Sequence, residues 1–98
     1  MDINVKALRA RAPESEVLDR YDEIARMVTA IPTARADDAI AWVRDLCLQL
    51  KVSPLAEHGI KDQDFAAIVD KARRASSMKG NPIELTADEL LEILQRAL

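Results

Sequence analysis

The chain has one cysteine, Cys47, so no intrachain disulfide can form. It has one histidine, His58, and so a single imidazole where a catalytic metal site calls for about three converging protein ligands. No Gly-x-Gly-x-x-Gly or P-loop segment is present to cradle a phosphate. No apolar run approaches the ~18 residues of a membrane-spanning helix. The N-terminus, Met1-Asp2-Ile3-Asn4, has neither a basic segment nor an apolar core of the kind that directs secretion, and the chain reads as cytoplasmic. Basic residues number 14 against 17 acidic ones, interleaved, with a formal net charge of −3. Without a basic stripe to displace counterions from phosphates, nucleic-acid binding is excluded. Aromatics are sparse, limited to Tyr21, Trp42 and Phe65.

Glycine and proline are also few, and their positions divide the chain: Pro13, Pro32, Pro54, Gly59, Gly80 and Pro82. Between them lie stretches rich in Ala, Leu, Glu, Asp and Arg, a composition that favours helix. Apolar residues make up 49% and charged residues 32%, which is the balance of a globular protein. At 98 residues the chain is one helical domain, or part of one. A chain of this length buries only ~60–65% of the surface that its unfolded form exposes, so its core is modest.

The periodicity predicts five helices and no strands. Val5 and Leu8 place a first helix over residues 3–11, before Pro13. Glu14 and Glu16 suit the positive end of a second, whose stripe runs Val17, Leu18, Tyr21, Ile24, Ala25 and Val28, with Asp19, Arg20, Asp22, Glu23 and Arg26 opposite. It should end near Thr29. A third helix carries Asp37 and Asp38 in its first turn and an apolar stripe of Ala39, Ile40, Val43, Leu46, Cys47 and Leu50, with Trp42 beside it. The matching stripes of the second and third helices suggest a helical hairpin. Cys47, among leucines, reads as a small buried hydrophobe.

Residues 52–60 break the pattern. A fourth helix is expected from Lys61 or Asp62 to Ser76 on the stripe Phe65, Ile68, Val69 and Ala72, with ion pairs joining Asp64 and Asp70 to Lys61, Arg73 and Arg74. Residues 76–82 read as a loop. The strongest local signal follows: Thr86 and Glu89 are spaced as a capping box, with Leu85 and Leu90 at the positions of a hydrophobic staple. The last helix then has apolar residues over more than half its circumference, among them Leu91, Ile93, Leu94, Ala97 and Leu98, and is expected to be buried on several sides.

Chemistry-bearing constellations are scarce. His58 stands in a loop between Glu57 and Gly59, where a solvated side chain is the expected state. Ser76 or Ser77, His58 and any Asp make a triad on paper only, since so many Asp residues are available. The carboxylate pairs Asp37-Asp38 and Asp88-Glu89 sit at helix starts, where dipole and capping roles account for them.

The order of several short motifs resembles the C-terminal end of the iron-containing (group III) alcohol dehydrogenases. They are Arg20-Tyr21-Asp22-Glu23-Ile24-Ala25, Ala41-Trp42-Val43-Arg44-Asp45-Leu46, Leu55-Ala56-Glu57-His58-Gly59-Ile60, Ser77-Met78-Lys79-Gly80-Asn81-Pro82, and Leu85-Thr86-Ala87-Asp88-Glu89-Leu90. The stretch Asn4-Val5-Lys6-Ala7-Leu8 is similar to the segment after the family's metal-binding helices. The resemblance implies an all-α fold, the C-terminal part of a dehydroquinate synthase-like helical domain, matching about the last quarter of a family member.

That family holds iron, sometimes zinc, with one Asp and three His and transfers hydride to or from NAD(P). The resemblance places those ligands and the glycine-rich cofactor segment upstream, mapping none onto this chain. It implies a structural role without catalytic competence alone, with no catalytic, cofactor or metal residue here. The free-standing alternative is a helical protein-interaction module. The resemblance also brings the loop before Asn81-Pro82 near the family's cleft, making Ser77, Met78 and Asn81 the candidate cleft-facing residues. Ser77 stands where some members have Cys; ending a helix is the plainer role for Ser76 and Ser77. The expected partner is a second copy or the N-terminal part of the enzyme, with surface left by the last helix, or by Val5 and Leu8, driving association.

Overall fold

The computed structural model describes residues 1–98 and is all-α, with five α-helices and no strand. The helices are α1 (Asp2–Arg11), α2 (Glu16–Thr29), α3 (Ala36–Gln49), α4 (Phe65–Arg74) and α5 (Ala87–Ala97). Three short 3-10 segments, Leu55–His58, Asp62–Asp64 and Ser76–Gly80, stand between α3 and α5. The chain divides into two compact units, Met1–Val52 and Ser53–Leu98. No helix is long and apolar enough to cross a membrane.

In the first unit α2 and α3 form the expected hairpin, and α1 lies against both. Small residues make the close approach possible: Ala25, Ala34 and Ala39 form a fully buried cluster, with Val28 packed on it. Helix α2 starts on Ser15, whose Oγ accepts from the Val17 N–H at 3.3 Å. It stops at Ala30, which adopts a left-handed conformation (φ 58°). Asp22, expected on the solvent face of α2, is instead engaged with the start of α3. Its Oδ1 accepts the Ala36 N–H at 2.8 Å and its Oδ2 meets Arg35 Nε at 2.6 Å, with the side chain only 13% exposed. Asp38 accepts the Arg35 N–H at 2.8 Å. Two of the donors that a helix start leaves without intrahelical partners are thereby satisfied, one of them from another helix.

Helix α1 is sunk deeper than the sequence suggested. Ile3, Val5, Ala7 and Leu8 are all buried, so Val5 and Leu8 are not surface left for association. The stripe of α3 departs in the other direction. Ala36, Ala39 and Ile40 are buried, but Val43 is partly open, and Cys47 and Leu50 are exposed. The reading of Cys47 as a buried hydrophobe is corrected: its leucine neighbours carry no information about whether another helix covers that turn.

In the second unit α4 packs on α5. Helix α4 begins later and ends earlier than its periodicity predicted. The first turn is 3-10, and Ala75 is extended (ψ 131°) before a further 3-10 segment replaces the expected open loop. Asp64 accepts the Lys61 N–H at 2.9 Å, a capping contact in place of the expected ion pair, while Asp70 does pair with Arg74. The capping box of α5 is formed. Thr86 N–H donates to Glu89 Oε2 at 2.8 Å and Glu89 N–H to Thr86 Oγ1 at 3.2 Å. Leu85 and Leu90 are both buried, as the staple requires. Beyond Leu90, α5 is less covered than expected: Leu91, Leu94 and Leu98 are half-buried, Ile93 and Ala97 exposed, because α4 is the helix against which it packs.

Candidate functional site

The surface around the end of α4 carries the only candidate that the sequence singled out. Ala75 turns the chain out of α4, and Met78 N–H then donates to Ala75 O at 3.1 Å. Asn81 closes the segment: its N–H donates to Met78 O at 3.1 Å, and its side-chain Nδ2 donates to Ile83 O at 2.6 Å. Asn81 therefore holds the 76–83 backbone in shape, a use typical of Asn in turns.

Two adjoining hollows flank this segment. One, of about 390 Å³, is lined by Asp70, Arg73, Arg74, Met78, Glu84, Leu85 and Leu90. The other, of about 420 Å³, shares Arg73, Arg74, Met78 and Glu84 and adds Ala75, Lys79 and Asn81. Met78 thus lines both, Asn81 lines one, and Ser77 is exposed and lines neither. Arg73, Arg74 and Glu84, assigned no site role from the sequence, contribute to both walls. The only signal was a pair of arginines at a helix end, where favourable interaction with the helix dipole is the ordinary explanation. With Arg74 committed to Asp70, the hollows offer Arg73 and Lys79 as hydrogen-bond donors over the apolar side chain of Met78. Glu84 lines both hollows, so the surface is of mixed charge.

Nowhere do three His, Cys, Asp or Glu side chains converge in a way that would hold a metal ion. His58 is exposed at the end of its 3-10 segment, and Cys47 is exposed in the other unit. The donor set of this chain does not fit an iron or zinc centre.

What the fold and this surface define is an all-helical chain without a cluster of metal-ligating side chains. Comparison with known proteins gives its family. Residues 4–98 match the family described as Fe-containing alcohol dehydrogenase, C-terminal. Alcohol dehydrogenase 4 of Schizosaccharomyces pombe is 34% identical over 64 residues, which is 64% of this chain and 15% of that protein. No solved structure matches significantly. The chain belongs to the iron-containing alcohol dehydrogenase family, in its C-terminal region. It spans about 15% of the length of the curated relative that it matches.

Proposed function

We propose that the chain is the C-terminal helical part of an iron-dependent, NAD(P)-linked alcohol dehydrogenase-like oxidoreductase, with a structural role and no catalytic competence alone. The observation that carries this reading is the family match over residues 4–98. The absence of a metal-ligand cluster among its side chains is consistent with it, since hydride transfer in such a protein needs a metal and a nicotinamide site built by other residues. On this reading the partner is the N-terminal part of the enzyme, the setting is cytoplasmic, and the hollows beside Met78 and Asn81 form part of one wall of the cleft.

The test uses the purified, dialysed chain. Elemental analysis is expected to find no stoichiometric iron or zinc, and incubation with NAD or NADP and short-chain alcohols or diols to produce no reduced cofactor. A full equivalent of bound metal, or turnover that His58→Ala abolishes, overturns the reading. A helical interaction module derived from the same domain is the second reading, favoured by the exposed apolar side chains of α2 and α3. Sequencing the encoding locus separates the two: an in-frame Asp-x-x-x-His helix upstream of Met1 supports the enzyme, and an intervening stop codon supports the module.

A further inference from the structure

The chain has four serines and three threonines, and they differ in what their hydroxyls already do. Three are engaged at helix ends: Ser15 Oγ accepts from the Val17 N–H, Thr86 Oγ1 accepts from the Glu89 N–H, and Thr29 Oγ1 donates to Ala25 O at 2.7 Å. Thr33 follows Ala30-Ile31-Pro32, with no cation among them, and Ser53 follows Leu50-Lys51-Val52, with one. Ser76 and Ser77 follow Arg73-Arg74-Ala75. Both serines and both arginines are exposed. Arg74 is occupied by Asp70, whereas Arg73 and the Ser76 hydroxyl have no side-chain partner within the chain. The unoccupied arginine thus lies three residues before Ser76, and the occupied one three before Ser77.

We infer that Ser76 is a phosphorylation site for a protein kinase whose substrate groove is lined by carboxylates. Guanidinium–carboxylate pairs are directional and often bidentate, so two arginines at fixed distances from a hydroxyl give such a groove both affinity and register. Reading them requires an extended chain up to the acceptor. Ala75 is already extended (φ −69°, ψ 131°), so only the last turn of α4 has to open. Arg73 and Arg74 in that turn are exposed, and helix ends open more readily than any other part of a helix. In the transfer, Ser76 Oγ forms a bond to the γ-phosphorus of ATP and the bond from that phosphorus to the β,γ-bridging oxygen breaks. ADP leaves, and the hydroxyl proton passes to a base of the kinase. The product adds about −1.5 to −2 charge beside an arginine with no other partner, so Arg73 becomes the partner of the phosphate. Arg73 lines both hollows, and the modification therefore changes the charge of that surface. The inference does not depend on the enzymatic reading above, because it rests on this segment alone.

The test incubates the full chain with the catalytic subunit of a cyclic-AMP-dependent protein kinase and ATP labelled in its γ-phosphate. A single phosphate is expected, located on Ser76 by fragmentation mass spectrometry. Ser76→Ala should abolish incorporation, and Ser77→Ala should leave its rate unchanged. Arg73→Gln removes the charged partner of the groove and should lower kcat/KM at least about tenfold. A synthetic peptide of residues 71–79 serves as the unfolded reference, and the folded chain should be modified within about tenfold of its rate. Circular dichroism confirms that each variant is as helical as the wild type. By phosphorus NMR the phosphoserine should titrate at lower pH than in exhaustively phosphorylated Arg73→Gln, and equal titrations overturn the pairing with Arg73. Labelling of the peptide without labelling of the folded chain overturns the site, since the fold would then withhold Ser76. So does labelling that falls on Ser77 or Ser53, or that survives Arg73→Gln at full rate.

Discussion

Arg9 and Asp37 face each other across α1 and α3 through two parallel hydrogen bonds, Nη1 to Oδ1 at 3.0 Å and Nη2 to Oδ2 at 2.9 Å. The hydrogen bond from Arg9 is the chief reason that the Asp37 carboxyl sits below the usual carboxylate range, with the Arg9 and Arg35 charges acting in the same sense and burial opposing. The same bond raises Arg9 above the ordinary guanidinium value. Both side chains are about half exposed or more, so the pair is screened by solvent.

A pH dependence follows. Asp37 is more acidic folded than unfolded, so its contribution is complete above the unfolded carboxylate value of about 3.9 and is lost as pH falls through the lower folded value. Asp37→Asn is expected to cost about 0.2–1 kcal/mol at pH 7, the range of an exposed pair. The difference from wild type should vanish in strong acid. Urea midpoints of both proteins, compared at neutral and strongly acidic pH, check this; an unchanged gap at both would show that the pair is not what distinguishes them.

Asp22 is the cap of α3 supplied from α2, and its removal should matter more. Asp22→Ala leaves the Ala36 N–H without its acceptor and is expected to lower stability by about 0.5–2 kcal/mol. Asp22→Asn keeps an acceptor oxygen and loses only the attraction to Arg35, so it should fall between. Denaturant midpoints of the three proteins should rank in that order.

Ala30 holds a left-handed conformation at the end of α2. That geometry costs an L-residue roughly 1–2 kcal/mol, while glycine adopts it freely at an unfolded-state entropy cost of roughly 0.4–1 kcal/mol. Ala30→Gly should therefore stabilise the chain by about 0.5–1 kcal/mol. A lowered thermal midpoint would mean that the Ala30 methyl contributes packing that outweighs the relief.

In the second unit, Thr86→Ala removes the acceptor for the Glu89 N–H and should cost about 0.5–2 kcal/mol. Thr86→Ser keeps the hydroxyl and should cost little. Indistinguishable midpoints for wild type and Thr86→Ala would place the effective start of α5 elsewhere.

Met78 and Asn81 were reached through a loop whose order of residues resembles a family, and both line hollows; Ser77 came with them and lines neither. Arg73 and Glu84 were not legible, because a charged residue at a helix end or in a loop looks the same whether it faces a hollow or open solvent.

The features that the sequence by itself determined are those decided within a few residues: five helices, the Thr86–Glu89 capping box, the Asp70–Arg74 pair, and a run of motifs ordered as in one family. Their partners lie within about one turn of helix, so spacing alone specifies them. Tertiary structure decided that Asp22 caps a helix whose first residue is 14 positions away, and that α1 is sunk while the end of α3 stands open. It also decided that Cys47 is exposed. An apolar stripe states that a helix face is suited to burial; whether it is buried depends on which other segment reaches it and where that segment ends. Here Ala39 of α3 is buried in a cluster with Ala25 of α2, while Cys47 and Leu50 of the same stripe stand exposed.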